Sequence, residues 1–108
     1  MNRDLLNYGM HVAGKNLEII IKCNFDDLKK KICEEIYKEF EFYVDNDMIN
    51  NILICVAERL ENSKFFWWRM EYARSIYLYL KDFNKVKNLD EKIRQYIYLT
   101  NRINERMF

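Results

Sequence analysis

The stretch Phe25-Asp26-Asp27-Leu28-Lys29-Lys30-Lys31-Ile32-Cys33-Glu34-Glu35-Ile36-Tyr37-Lys38-Glu39-Phe40-Glu41-Phe42 decides the fold class. Phe25, Leu28, Ile32, Cys33, Ile36, Phe40 and then Tyr43 recur at helical spacing, so they gather on one helix face and on no single face of a strand. Asn24 or Asp26 can cap the segment, acidic residues stand in its first turn, and Lys29, Lys30 and Lys31 run along the outside. An amphipathic helix from about 25 to about 42 follows. Downstream, Val44-Asp45-Asn46-Asp47 breaks it, and Asp45 or Asp47 caps a second helix that ends near Glu61-Asn62. The apolar face of that helix is Met48, Ile49, Ile52, Leu53, Val56 and Leu60. Ser63 caps a third, from 64 to about 84, apolar around more than half its circumference and therefore expected at the centre. Asn84-Lys85-Val86-Lys87 reads as the next break and Asn88-Leu89-Asp90-Glu91 as a capping box. The final helix carries Leu89, Ile93, Tyr96, Ile97, Thr100, Ile103 and Met107 on its apolar face.

Upstream of Asn24 two readings stay open. Asp4 to Val12 forms a short helix stopped by Gly14, or Tyr8 to Ala13 pairs with the β-branched Leu17-Glu18-Ile19-Ile20-Ile21-Lys22 through a Gly14-Lys15-Asn16 turn. The alternating Phe40-Glu41-Phe42-Tyr43-Val44 offers a second partner strand. The expectation is an all-α, single-domain bundle over residues 1–108, with four main helices and an N-terminal segment, 1–23, that is a short helix or a small β-hairpin.

Composition supports that class. Half of the 108 residues are hydrophobic, enough for one core and too many for a disordered chain, while two Gly and no Pro leave too few turn formers for an all-β fold. Eighteen basic residues against 17 acidic ones give a formal charge of +1, so bulk charge supplies no argument for nucleic acid or an anionic membrane. Cys23, Cys33 and Cys55 are odd in number and form no CxxC pair, which predicts reduced thiols and a cytoplasmic setting. Met1-Asn2-Arg3-Asp4 is followed by no apolar leader, and the apolar runs, such as Phe65-Phe66-Trp67-Trp68, are too short to span a membrane.

The same inspection predicts no metal, no cofactor and no catalysis. His11 is the only histidine, and neither Gly9 nor Gly14 opens a phosphate-binding loop. Glu35 and Glu39 flank the apolar stripe of the first long helix, where Lys31 and Lys38 can pair with them; Glu34 faces water. Asp45-Asn46-Asp47 lacks the spacing of a calcium loop and reads as a cap. Aromatics and arginines alternate at Trp67-Trp68-Arg69, Tyr72-Ala73-Arg74 and Arg94-Gln95-Tyr96, but periodicity assigns Trp68, Tyr72 and Tyr96 to apolar faces. A helix-turn-helix reading would use residues 88 onward for recognition, with Arg94, Asn101 and Arg102 toward DNA. Asp90 and Glu91 in that first turn oppose it.

Positions that contradict their own helix carry the functional signal. Trp67 and Leu78 fall within the polar side of the third helix, so Trp67, Glu71, Arg74 and Leu78 form a stripe of the composition found at interface hot spots, unless residues 1 to 23 cover it as part of the core. Arg69 falls on the apolar face of that helix and is expected to form a buried or edge ion pair with Glu58, Glu61 or Glu35; the alternatives are an arginine in a ligand-binding cavity or one that bends out to water. Ile54 and Tyr98 lie on polar sides. Together these features predict a small non-catalytic protein that binds a partner protein through the stripe, the partner being either a foreign protein or a second copy in a homodimer. No motif places the chain in a family. In size and composition it resembles phage- and mobile-element-encoded inhibitors of host machinery, anti-CRISPR proteins among them, and that resemblance implies action by occupying a partner's surface. A nucleic-acid-binding regulator and a self-assembling structural subunit are the alternatives.

Overall fold

The computed structural model describes residues 3–16, 18, 22, 24–62 and 67–107, with side chains for all of these except Trp67, Trp68 and 100–107. Among the described residues it contains five helices and no strand: α1 (Arg3–Lys15), α2 (Phe25–Phe40), α3 (Asn46–Glu61), α4 (Trp67–Tyr79) and α5 (Phe83–Met107). Contacts run α1 to α2, α1 to α3, α3 to α4 and α4 to α5. The apolar third helix of the sequence, now α4, is thus the middle layer between α3 and α5. No described helix is long and apolar enough to cross a membrane.

The N-terminal ambiguity resolves to a helix. Tyr8 to Ala13 lies inside α1, and Asn16, instead of turning a hairpin, donates its side-chain N–H to the Val12 carbonyl at 2.7 Å. Leu5, Gly9, Val12 and Ala13 are its buried residues, a helical and not an alternating set. Gly9 brings α1 close to α3, since a Cβ built there would lie 2.7 Å from Ile52 Cδ1. Of the β-branched stretch 17–22 only Glu18 and Lys22 are described. The Lys22 amide donates to the Glu18 carbonyl at 3.1 Å. The alternative strand, 40–44, is the last residue of α2 and a connection without regular structure.

Each helix boundary has a local cause. Asn24 caps α2 by accepting the Asp27 amide, and Asp45 caps α3 by accepting that of Met48 at 2.8 Å. Between α4 and α5 the predicted break at 84–87 is displaced to 80–82, and α5 begins at Phe83 instead of 88. Lys81 adopts the left-handed conformation, φ 62°. Its amide bonds the Leu78 carbonyl and the Asp82 amide bonds that of Tyr77, the paired bonds of a Schellman ending. Asp82 then caps α5 through the Lys85 amide at 3.3 Å. Asn88 to Glu91, read from sequence as a capping box, therefore lies inside a helix. The Ser63 cap and the expected start at 64 lie outside the described residues.

Left-handed backbone at Glu41 (φ 51°) and Lys81 costs a β-carbon-bearing residue about 1–2 kcal/mol, against about 0.5–1 kcal/mol of extra chain entropy lost by glycine. Glu41→Gly and Lys81→Gly are each expected to stabilise the fold by about 0.5–1 kcal/mol, read as a higher urea midpoint at unchanged slope.

The core is made of Leu28, Ile32 and Ile36 from α2, Ile52, Leu53 and Ala57 from α3, Ala73, Ile76 and Tyr77 from α4, and Leu89 from α5, with no buried charged residue among those described. Phe25 stacks on Tyr79 at 4.4 Å between centroids and so ties the start of α2 to the end of α4. Beyond Tyr96, which is half-buried against the core, the long α5 leaves the bundle: Ile97, Tyr98 and Leu99, at successive 100° steps, are all exposed. The molecule is accordingly elongated, 57 × 25 × 24 Å.

Candidate functional site

Helical geometry places Glu71, Arg74 and Leu78 of the predicted stripe along one side of α4. Glu71 is exposed and Leu78 is 44% exposed, whereas Arg74 is half-buried and its Nε donates to Asp90 Oδ1 on α5. Arg74 is therefore held in an ion pair between two helices, and the exposed polar and apolar ends of the stripe flank that pair. The backbone of Trp67 opens α4; its side chain lies outside the described set.

Arg69 departs from expectation. It is exposed, and with His11 and Arg59 it lines a cavity of about 350 Å³ among α1, α3 and α4, whose apolar wall includes Val56 and Leu60. The wheel put it among apolar neighbours, but α4 turns that edge toward the opening beside α1, where a long guanidinium side chain reaches water. Consequently Arg69→Ala and Arg69→Met should each change stability by less than about 1 kcal/mol, the range of surface ion pairs and surface substitutions, in a thermal melt.

A second surface was not legible as a site. Phe40 and Tyr43, assigned from spacing to the buried face of α2, are exposed, Tyr43 to 81%. The helix stops at Phe40 because Glu41 turns left-handed, and every later side chain leaves the stripe. Phe40 meets Tyr8 edge-on at 5.5 Å, Tyr37 lies 4.7 Å from Tyr43, and Phe42 is also exposed. Hydrogen bonding to Tyr37 holds the Tyr43 phenol above its ordinary range. The result is an aromatic corner at the α2–α3 connection, built from the Tyr37–Tyr43 and Tyr8–Phe40 pairs with Phe42 between them in sequence. The one sequence signal for it was the alternation from Phe40 to Val44, which is incompatible with continuing a helix.

Reactive groups do not converge. Among the described residues no group of three His, Cys, Asp or Glu side chains could hold a metal ion. Cys33 and Cys55 are free, half-buried thiols; burial pushes both up, with Glu34 adding at Cys33 and Glu58 at Cys55, so neither is primed as a thiolate. Lys38 pairs with Glu35 at 3.7 Å on the flank of α2, as its spacing predicts. No protein family, curated protein or solved structure matches the chain.

Proposed function

We propose that this chain is a non-catalytic module that binds a partner protein, and the observation that supports it is the aromatic corner of Tyr37, Phe40, Phe42 and Tyr43. Tyr43 is 81% exposed and Tyr37, Phe40 and Phe42 are exposed in part, so these rings forgo some of the burial that large rings ordinarily gain, and aromatic residues are the ones that most often anchor interfaces. The Glu71 and Leu78 ends of the α4 stripe are a second contact region, with Trp67 at its start. The narrower expectation, an inhibitor of host machinery of the phage-encoded kind, rests on size and composition alone.

The test uses three baits: the wild-type chain, Phe42→Ser/Tyr43→Ser and Glu71→Ala/Leu78→Ala, each first shown by circular dichroism to keep its helical content. A protein retained by the wild type and lost with one double variant supports the reading and locates the surface. Identical retention by all three overturns it. Sedimentation velocity across a wide concentration range asks the same of a second copy of this chain, the homodimer form.

The nucleic-acid alternative gains one observation. Because α5 starts at Phe83, Asp90 and Glu91 lie inside the helix and not in its first turn, although the Asp82 cap still sets a carboxylate at its start. Salt titration of duplex DNA binding decides it: a regulator would show a steep loss of affinity with salt that Lys87→Glu and Arg94→Glu abolish.

A further inference from the structure

Carboxylates alternate with the rings of the aromatic corner: Glu39 and Glu41 flank Phe40, and Asp45 and Asp47 follow Tyr43. Every one of these side chains is exposed. Two of the four acids have a place in the fold, since Asp45 caps α3 and Asp47 stands in the first turn of that helix, where negative charge is stabilising. Glu39 and Glu41 have none: no ion pair or side-chain hydrogen bond among the described residues engages either. Glu41 moreover holds a left-handed position that glycine would occupy at lower cost. Lys38 turns to Glu35 at 3.7 Å and Lys29 donates to Asn46 Oδ1 at 3.2 Å, so neither lysine neutralises the pair. The corner therefore carries an excess of negative charge in a chain whose formal charge is +1.

We propose that this corner docks an arginine-bearing surface of a foreign protein, its arginines set among aliphatic side chains. The inference rests on the protein-binding reading and names the chemistry of the partner. A guanidinium group suits both halves of the patch: its forked donors meet Glu39 and Glu41, and its planar face stacks on an exposed ring, Tyr43 foremost at 81% exposure. Aliphatic neighbours on the partner cover Phe40 and Phe42. Exposed carboxylates at the rim also steer a basic surface toward the corner before contact. An acidic protein, DNA or an anionic lipid surface would instead set like charge against these carboxylates.

The test follows backbone and ring resonances of the full chain in low-salt titrations with an end-blocked hexapeptide of alternating arginine and leucine, its uncharged citrulline counterpart and its glutamate counterpart. Saturable shifts centred on Phe40, Phe42 and Tyr43 are expected with the arginine peptide, and added salt should weaken them. Glu39→Gln/Glu41→Gln should weaken that binding about three- to tenfold and leave the citrulline peptide unaffected. Glu41→Gly, which is expected to stabilise the fold, should weaken the arginine peptide as well, separating a lost contact from lost folding. The proposal is overturned if the citrulline or glutamate peptide binds as tightly as the arginine peptide, if no peptide gives saturable shifts at the corner, or if Glu39→Gln/Glu41→Gln leaves affinity unchanged. Self-association of the wild type that this double variant abolishes would make a second copy the occupant and overturn it too. Equal binding of the arginine and citrulline peptides, both lost with Phe42→Ser/Tyr43→Ser, removes the arginine preference alone; the protein-binding reading itself falls only on identical retention by the three baits.

Discussion

Replacing Ile52 by alanine is expected to cost about 3–4 kcal/mol, and in that background Gly9→Ala is expected to change from harmful to neutral or mildly stabilising. Ile52 is fully buried, and it is the side chain on which Gly9 of α1 rests. In the wild type a Cβ at position 9 would approach Ile52 Cδ1 to 2.7 Å and both Cγ1 and Cγ2 to 3.2 Å. The terminal methyl can swing, but the two γ carbons are fixed by the β-branch, so α1 has to lift. Overpacking of this kind costs about 1–3 kcal/mol, more than the roughly 1 kcal/mol that alanine gains over glycine inside a helix. With Ile52 shortened the clash disappears and the propensity gain remains. Urea unfolding of both single variants and the double variant measures the coupling; additive effects within about 0.5 kcal/mol would show that Gly9 is not placed by Ile52.

Alkaline pH should selectively destabilise the fold through Tyr77. Burial is the main cause that raises this phenol far above its ordinary value near 10, and the adjacent Glu61 carboxylate, then Glu58 and Asp82, reinforce it. Glu61 approaches the hydroxyl without reaching hydrogen-bond geometry, so its contribution here is charge. Below pH 10 the phenol is neutral in both folded and unfolded chains, and the stability is fully present. Above it the unfolded chain releases the proton while the folded chain retains it, so stability falls by as much as about 1.4 kcal/mol per pH unit until the folded group also ionises. Tyr77→Phe should remove one proton's worth of that slope between about pH 10 and 11. At neutral pH it should leave stability unchanged or raise it by about 1 kcal/mol, because the deleted hydroxyl is buried and bonds nothing. Parallel slopes in wild type and variant would contradict this account.

Much of the helical framework was legible from residue order. The caps at Asn24 and Asp45 work within three residues, and the buried faces of α2 and α3 follow from spacing at Leu28, Ile32, Ile36, Ile49, Ile52, Leu53 and Val56. Ile54 and Tyr98 are exposed as their positions on the wheel require. These are local properties: a short side chain reaches a nearby amide, and a 3.6-residue period needs only one apolar neighbour to bury its face. The site was less legible. Periodicity found the α4 stripe but not that Arg74 pairs with Asp90, sixteen residues away on another helix.

What the sequence by itself determined is therefore the helical class, the faces that α2 and α3 bury, and the lack of apolar segments long enough to span a membrane. Only tertiary structure decided where α4 ends and α5 begins, because a Schellman turn with Lys81 left-handed requires no glycine and leaves a weaker mark in sequence than the polar run 84–87. It also decided that Arg69 faces water, that Phe40 and Tyr43 join an exposed aromatic corner, and that Tyr77 is buried without a partner beside Glu58, Glu61 and Lys85. Each of these depends on which neighbouring helix stands across from the residue. A helix's own periodicity fixes which side chains share a face, and the packing of the other helices fixes which faces meet water.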